Sequence, residues 1–267
     1  MAFSLPATAL LVSVLSPAEA EAACQGGADI IDIKNPAEGP LGAPRPDVIA
    51  AIGRTISGRR PVSVALGEFP GRPGAAALAA VGAALFRPEF LKIAFIAGTT
   101  ADEVSAVLQA IGAGLACAGL PPLPVVAVAY ADTLPAAGWT LADFAALAQA
   151  GKAAGCLVDT QEKTGVSLPA ILSRREIAGF IDACRRRHLF CGLAGSLRPE
   201  DIPAMRALAP DIIGIRSAAC GGDRLRGVVT AERVSRLKAL IAGEAAGTFP
   251  GCGRWPSVPP AARDEAR

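Results

Sequence analysis

The sequence predicts a single-domain (β/α)8 TIM barrel. Three observations carry this expectation. Short apolar runs alternate with longer, alanine-rich segments of helical period. The alternation repeats eight times in roughly 240 residues, the usual size of such a barrel. The apolar runs are continuous, as expected of parallel strands covered by helices. A doubly wound sheet would need fewer strands and an early glycine-rich fingerprint, which is absent.

Taken in order, strands are expected at residues 9–15, 30–34, 61–66, 91–96, 124–130, 155–159, 188–193 and 212–216. Helical patterns fall near 17–27, 46–57, 74–86, 101–115, 139–152, 169–187 and 199–207, with an eighth near 230–242. Residues 7–15 look like the core of a signal peptide, but residues 1–7 carry no Lys or Arg and the run is short. A first strand that runs into a helix at Pro17 fits better. The 29 glycines and 22 prolines suit many tight turns. From about Gly243 the pattern dissolves into Gly, Pro and Arg. The barrel is therefore expected over 1–243, with a disordered C-terminal tail over 244–267. No window reaches the ~18–20 uninterrupted apolar residues needed to span a bilayer, so a cytoplasmic protein is expected.

Composition narrows the chemistry. The chain has 267 residues and a net charge of +2, which removes the electrostatic argument for a nucleic-acid or membrane partner. Its only histidine, His188, rules out a metal site built on two or three histidines, and no metal or other cofactor is expected. His188 also falls at the start of the seventh strand, the stability end of a barrel, where a solvated or capping role is expected. The seven cysteines are odd in number and form no CxxC pair, which reads as reduced, partly buried thiols. Proton transfer must then fall on Lys, Asp and Glu.

Strand periodicity sorts those charges. In a strand, residues i and i+2 share a face. On the second strand Ile30, Asp32 and Lys34 share one face, with Ile31 and Ile33 on the other. If the isoleucines meet the helices, Asp32 and Lys34 point inward, side by side at the barrel mouth. On the fourth strand Lys92 shares a face with Ala94, opposite Leu91, Ile93 and Phe95. The sixth strand ends at Asp159, and Lys163 follows in the loop. Catalytic groups of such barrels belong at these C-terminal strand ends. An ordinary lysine has a pKa of about 10.4, so only about one in 2,500 is neutral at pH 7. Clustered lysines in an apolar barrel lower that value and suit imine chemistry, with carboxylates moving the protons.

The last two strands carry a phosphate signal. Gly195 and Ser196 close the seventh strand, Arg216 and Ser217 close the eighth, and Gly221-Gly222 follow. Glycine-rich loops at these two strand ends commonly cradle phosphate, and Arg216 can add a bidentate contact. A phosphorylated small-molecule substrate is expected, and a homo-oligomer.

These residues resemble a known family. The run Gly26-Gly27-Ala28-Asp29-Ile30-Ile31-Asp32-Ile33-Lys34-Asn35-Pro36 is its most specific part, with Glu38-Gly39-Pro40-Leu41-Gly42 continuing it. Ala129-Tyr130-Ala131-Asp132, Asp159-Thr160, Ala194-Gly195-Ser196 and Arg216-Ser217-Ala218-Ala219-Cys220 add weaker matches. Over about residues 9–242 the chain is similar to the (5-formylfuran-3-yl)methyl phosphate synthases. That resemblance implies a (β/α)8 lyase of methanofuran biosynthesis and one-carbon metabolism. It would condense two molecules of glyceraldehyde 3-phosphate, losing one phosphate and two waters. It assigns Lys34 as the Schiff-base lysine, Lys92 as a proton acceptor, and Asp32, Asp159 and Lys163 as partners. The sequence departs from the family pattern at Glu68, where an Asp is usual, at Ala94-Phe95 and at Pro40. Two other readings stay open: a Schiff-base aldolase for another phosphosugar, and a non-catalytic barrel in which Lys34 only pairs with Asp32.

Overall fold

A computed structural model describes residues 6–243. The expected tail, with Cys252, lies outside the described residues. Eight parallel strands close into a barrel in sequence order: β1 (Ala9–Val14), β2 (Ile30–Ile33), β3 (Val62–Glu68), β4 (Phe90–Phe95), β5 (Val125–Tyr130), β6 (Gly155–Asp159), β7 (Phe190–Leu193) and β8 (Ile212–Ile215). Strand β8 pairs with β1, so no sheet edge remains. The outer ring comprises α1 (Pro17–Gln25), α2 (Pro46–Ile56), α3 (Pro73–Ala84), α4 (Ala101–Cys117), α5 (Leu141–Ala150), α6 (Leu168–Ile171), α7 (Arg174–Arg185), α8 (Ile202–Arg206) and α9 (Ala231–Ala242). Among the described residues no helix is long and apolar enough to cross a membrane.

Three element boundaries differ from expectation. The helix expected over 169–187 is two helices. Leu172 is extended, and Ser173 opens α7 through a capping box in which the Glu176 carboxylate accepts from the Ser173 amide at 2.7 Å. The Ser-x-x-Glu spacing carried that signal. Strand β7 begins at Phe190, because His188 has a left-handed backbone (φ 56°) in an exposed turn. Helix α8 is only five residues long.

The core has the two layers that the alternation implies. Inside the barrel, Leu11, Ile30, Phe90, Val128, Leu157 and Ile212 form one buried cluster. Between sheet and helices, Ile31, Ile33, Leu91 and Ile93 belong to a larger one. Each fully buried Leu or Ile stabilises the fold by about 1.5–3 kcal/mol. Strands β7 and β8 contribute small inward residues. A Cβ on Gly192 would lie 2.9 Å from the Leu157 Cδ1, and one on Gly214 would lie 3.3 Å from the Ala194 Cβ. The two glycines therefore let Leu157 and Ala194 pack inside the barrel, in the space a larger residue would need.

The β1–β8 seam is closed by a buried ion pair. Glu19, in the first turn of α1, is 2% exposed and Arg216, just past β8, is 6% exposed. The Arg216 Nη1 donates to Glu19 Oε2 and to the Ser13 carbonyl, both at 3.0 Å, and its Nε donates to the Arg224 carbonyl at 2.8 Å. Glu19 also accepts from the amides of Leu15 (2.9 Å) and Val229 (3.2 Å). One carboxylate thus ties β1, α1, β8 and the segment entering α9. Removing one partner leaves the other charged and buried. Glu19→Ala should therefore cost about 3–5 kcal/mol in urea unfolding, and a Glu19→Leu/Arg216→Met double variant should recover most of that loss.

Candidate active site

Lys34 is the first residue after β2, and its backbone still follows the sheet, donating to the Val14 carbonyl at 3.2 Å. The loop beyond it is compact. Asn35 caps a short 3-10 turn over Pro36–Glu38, and its amide donates to the Gly42 carbonyl at 2.8 Å. A Cβ at Gly42 would sit 2.2 Å from the Asn35 carbonyl oxygen, so only glycine closes this loop. The closure presents the Pro40 carbonyl to Lys34, whose Nζ donates to it at 3.2 Å. The contact is through the backbone, so proline at 40 leaves it intact.

Asp32 lies one layer deeper and is fully buried. Its carboxylate accepts from Ser13 Oγ (2.8 Å), Ser63 Oγ (2.7 Å) and Lys92 Nζ (2.7 Å). Ser13 and Ser63 stand beside Asp32 in the strand register, which accounts for the first two bonds. The Asp32–Lys34 pair of the non-catalytic reading does not form. Asp32 is taken by Lys92, and no ion pair to Lys34 exists among the described residues. Burial alone would raise the Asp32 pKa, but the charges of Lys92 and Lys34 and the bonds from Lys92 and Ser63 hold it below the ordinary value.

Asp159 ends β6 and accepts from Lys163 Nζ at 2.6 Å and from the Thr160 amide at 2.7 Å. Its pKa too is held low, burial being outweighed by Lys163 and Lys34. Lys34 is left between two ion pairs without a carboxylate of its own. Burial, with Lys92 and Lys163 adding to it against the opposing pull of Asp159 and Asp32, lowers its pKa from 10.5 to about 7.

Gly195, Ser196 and Ser217 line the same pocket as Lys34, Lys92 and Asp159. Gly195 has φ 104°, and a Cβ there would lie 3.0 Å from the Thr160 side chain, so glycine lets the β7 loop pack against the β6 end. Gly221 and Gly222 do not reach the pocket lining. The Gly222 amide donates back to the Ser217 carbonyl at 2.8 Å, and Gly221 packs near the Arg233 guanidinium. Arg216 lines the pocket, but the fork expected for phosphate is closed on Glu19. Two features escaped the sequence reading. Arg224, in the loop after β8, lines the pocket. Tyr130, at the end of β5, donates to Glu68, and its burial and the Glu68 charge raise its pKa. The i, i+2 face rule could have found Ser13 and Ser63; nothing local marked Arg224. Among the described residues no group of three His, Cys, Asp or Glu is placed to hold a metal.

The lowered Lys34 pKa has a thermodynamic signature. Between about pH 7 and 10.5 the unfolded chain keeps a proton that the folded chain has released. Stability from this group therefore rises with pH across that window. Lys34→Met should be more stable than the parent at neutral pH, by roughly 1–4 kcal/mol, with the difference shrinking as pH approaches 10 in denaturant titrations.

Residues 10–238 match the profile of the family described as 4-HFC-P synthase. The chain is 37% identical to the (5-formylfuran-3-yl)methyl phosphate synthase of Methanopyrus kandleri, over 87% of this chain and 98% of that protein. Its counterparts in Methanosarcina mazei (38%, covering 80% and 92%) and Methanocaldococcus jannaschii (36%, covering 86% and 98%) are similarly close. Solved structures share the fold at much lower identity. Phosphoribosyl anthranilate isomerase from Thermus thermophilus superposes with a TM-score of 0.57 at 17% identity, covering 88% of this chain and 98% of that one. 3-Hexulose-6-phosphate synthase from Salmonella typhimurium gives 0.55 at 16%, covering 87% and 99%. Match and identity both extend over nearly the whole barrel, including the run that carries Asp32 and Lys34, and the chain belongs to the 4-HFC-P synthase family.

Proposed function

We propose that this protein is a lyase that condenses two molecules of glyceraldehyde 3-phosphate into (5-formylfuran-3-yl)methyl phosphate through a Schiff base on Lys34. One phosphate and two waters are released, and the product serves a methanofuran-type cofactor. The observation that carries this reading is the Lys34 amine: buried, near neutral pKa and without a carboxylate partner. The names of the relatives support the product. The binding-only alternative needs a Lys34–Asp32 pair, and Asp32 is bonded to Lys92 instead.

The geometry suggests how the work divides. The neutral Lys34 amine attacks the carbonyl carbon of one triose phosphate, and water leaves to give the iminium. The Asp159–Lys163 pair, joined at 2.6 Å, is placed to exchange protons with the departing oxygen. The iminium acidifies the neighbouring carbon. Lys92, positioned by Asp32 at 2.7 Å, is the acceptor of that proton in its neutral form. The resulting enamine adds to the second aldehyde. Phosphate elimination, ring closure and dehydration follow, and water frees Lys34.

Borohydride reduction during incubation with glyceraldehyde 3-phosphate should leave an adduct on the peptide containing Lys34, and unreduced samples should accumulate the furan aldehyde absorbance. Lys34→Ala should lose both, and Asp159→Asn should lower turnover about 10²- to 10⁴-fold. An adduct without furan would mean an aldolase for another phosphosugar. No adduct at all would refute the imine.

A further inference from the structure

We propose that Arg224 is the guanidinium that holds the phosphate of one of the two triose phosphates, and that Arg216 and Glu19 are the residues that position it. This rests on the triose phosphate reading above. The charges that line the pocket are unevenly balanced. Five cationic side chains line it: Lys34, Lys92, Lys163, Arg216 and Arg224. Three are neutralised, Lys92 by Asp32, Lys163 by Asp159 and Arg216 by Glu19. Lys34 is the amine that can shed its proton. Arg224 is permanently charged and half-buried, and among the described residues it forms no ion pair, the charge of Asp159 reaching it only from a distance. Its guanidinium donates from Nη2 to a neutral acceptor, the Gly39 carbonyl, at 3.3 Å. Burial disfavours its charged form. A cation held in this way is completed by an anion from outside.

The loop that carries Arg224 is built to hold it still. The Asp223 carboxylate accepts from the amides of Leu225 (2.9 Å) and Arg226 (3.0 Å), and the Gly227 amide donates to the Asp223 carbonyl at 2.8 Å. Arg216 then pins the Arg224 carbonyl at 2.8 Å, with its own fork fixed on Glu19. The guanidinium bridges from the β8 loop to the Gly39 turn, in the same loop whose Pro40 carbonyl meets Lys34. Two phosphorylated substrates need two anion cradles. The backbone and hydroxyl groups of Gly195, Ser196 and Ser217 are placed for one, at the ends of β7 and β8. The planar, five-donor fork of Arg224 supplies the other, on the side of Lys34. The phosphate-clamping role expected of Arg216 thus passes to Arg224, and Arg216 becomes its support.

The test separates phosphate recognition from imine chemistry. Arg224→Gln should raise KM for glyceraldehyde 3-phosphate about 10- to 100-fold. Borohydride trapping of unphosphorylated glyceraldehyde on Lys34 should proceed at the parent rate. Arg224→Lys should restore part of the loss. Equal slowing with both aldehydes, or no change with either, would overturn the assignment. A second arm uses the unaltered protein and needs no imine. Phenylglyoxal labelling of Arg224, followed by peptide mass spectrometry, should slow about tenfold in inorganic phosphate, while labelling of the exposed Arg54 stays constant. Absence of protection at Arg224 would refute the clamp. If the parent protein forms no adduct with either aldehyde, the Lys34 reading fails and the phenylglyoxal arm alone decides Arg224.

Discussion

The mouth of this barrel is governed by the free energy required to keep positive charge away from water. An ion that is buried without a partner is destabilised by several kcal/mol, and the protein answers this constraint in two ways. Lys92, Lys163 and Arg216 each receive a carboxylate at 2.6–3.0 Å. Lys34 receives none, only the Pro40 carbonyl, and burial lowers its pKa to about 7. The same desolvation that is a burden for a structural lysine would make this one the nucleophile proposed above. The deep Asp32 matters because it goes elsewhere: held by two serines and by Lys92, it is not free to stabilise the Lys34 ammonium by direct contact.

Leu157 and Ala194 pack where Gly192 and Gly214 carry no side chain, while β2, β4 and β6 carry Asp32, Lys92 and Asp159. The Glu19–Arg216 bridge joins the ends of the barrel's first and last strands, so the seam that closes the barrel also braces the loop bearing Arg224.

Much of this was legible in the sequence. The two-residue period placed Asp32, Lys34 and Lys92 inward, and eight apolar runs sufficed for the barrel. The pairing among the charges was not legible. Both Lys34 and Asp32 face inward, but which lysine meets the carboxylate depends on depth in the barrel and on strand register. Ser13 and Ser63 beside Asp32 fix its level, and the long Lys92 side chain reaches it from β4. Arg216 was misread for a related reason: its partner, Glu19, lies 197 residues away. The glycine pair at 221–222 marks the loop, but the pocket is reached by Arg224, whose carbonyl accepts from Arg216. Helix ends shifted where capping chemistry, as at Ser173, outweighed helical periodicity.

The central claim is that burial, with no carboxylate bonded to the amine, lowers the Lys34 pKa to about 7, so that much of it is neutral near physiological pH. The most direct measurement is the rate at which a small acylating reagent labels the Lys34 amine as pH is raised, read by peptide mass spectrometry. The account predicts a rate that climbs and levels off with a midpoint near pH 7. A labelling rate that keeps rising about tenfold per pH unit to pH 10, as an ordinary lysine's does, would contradict it.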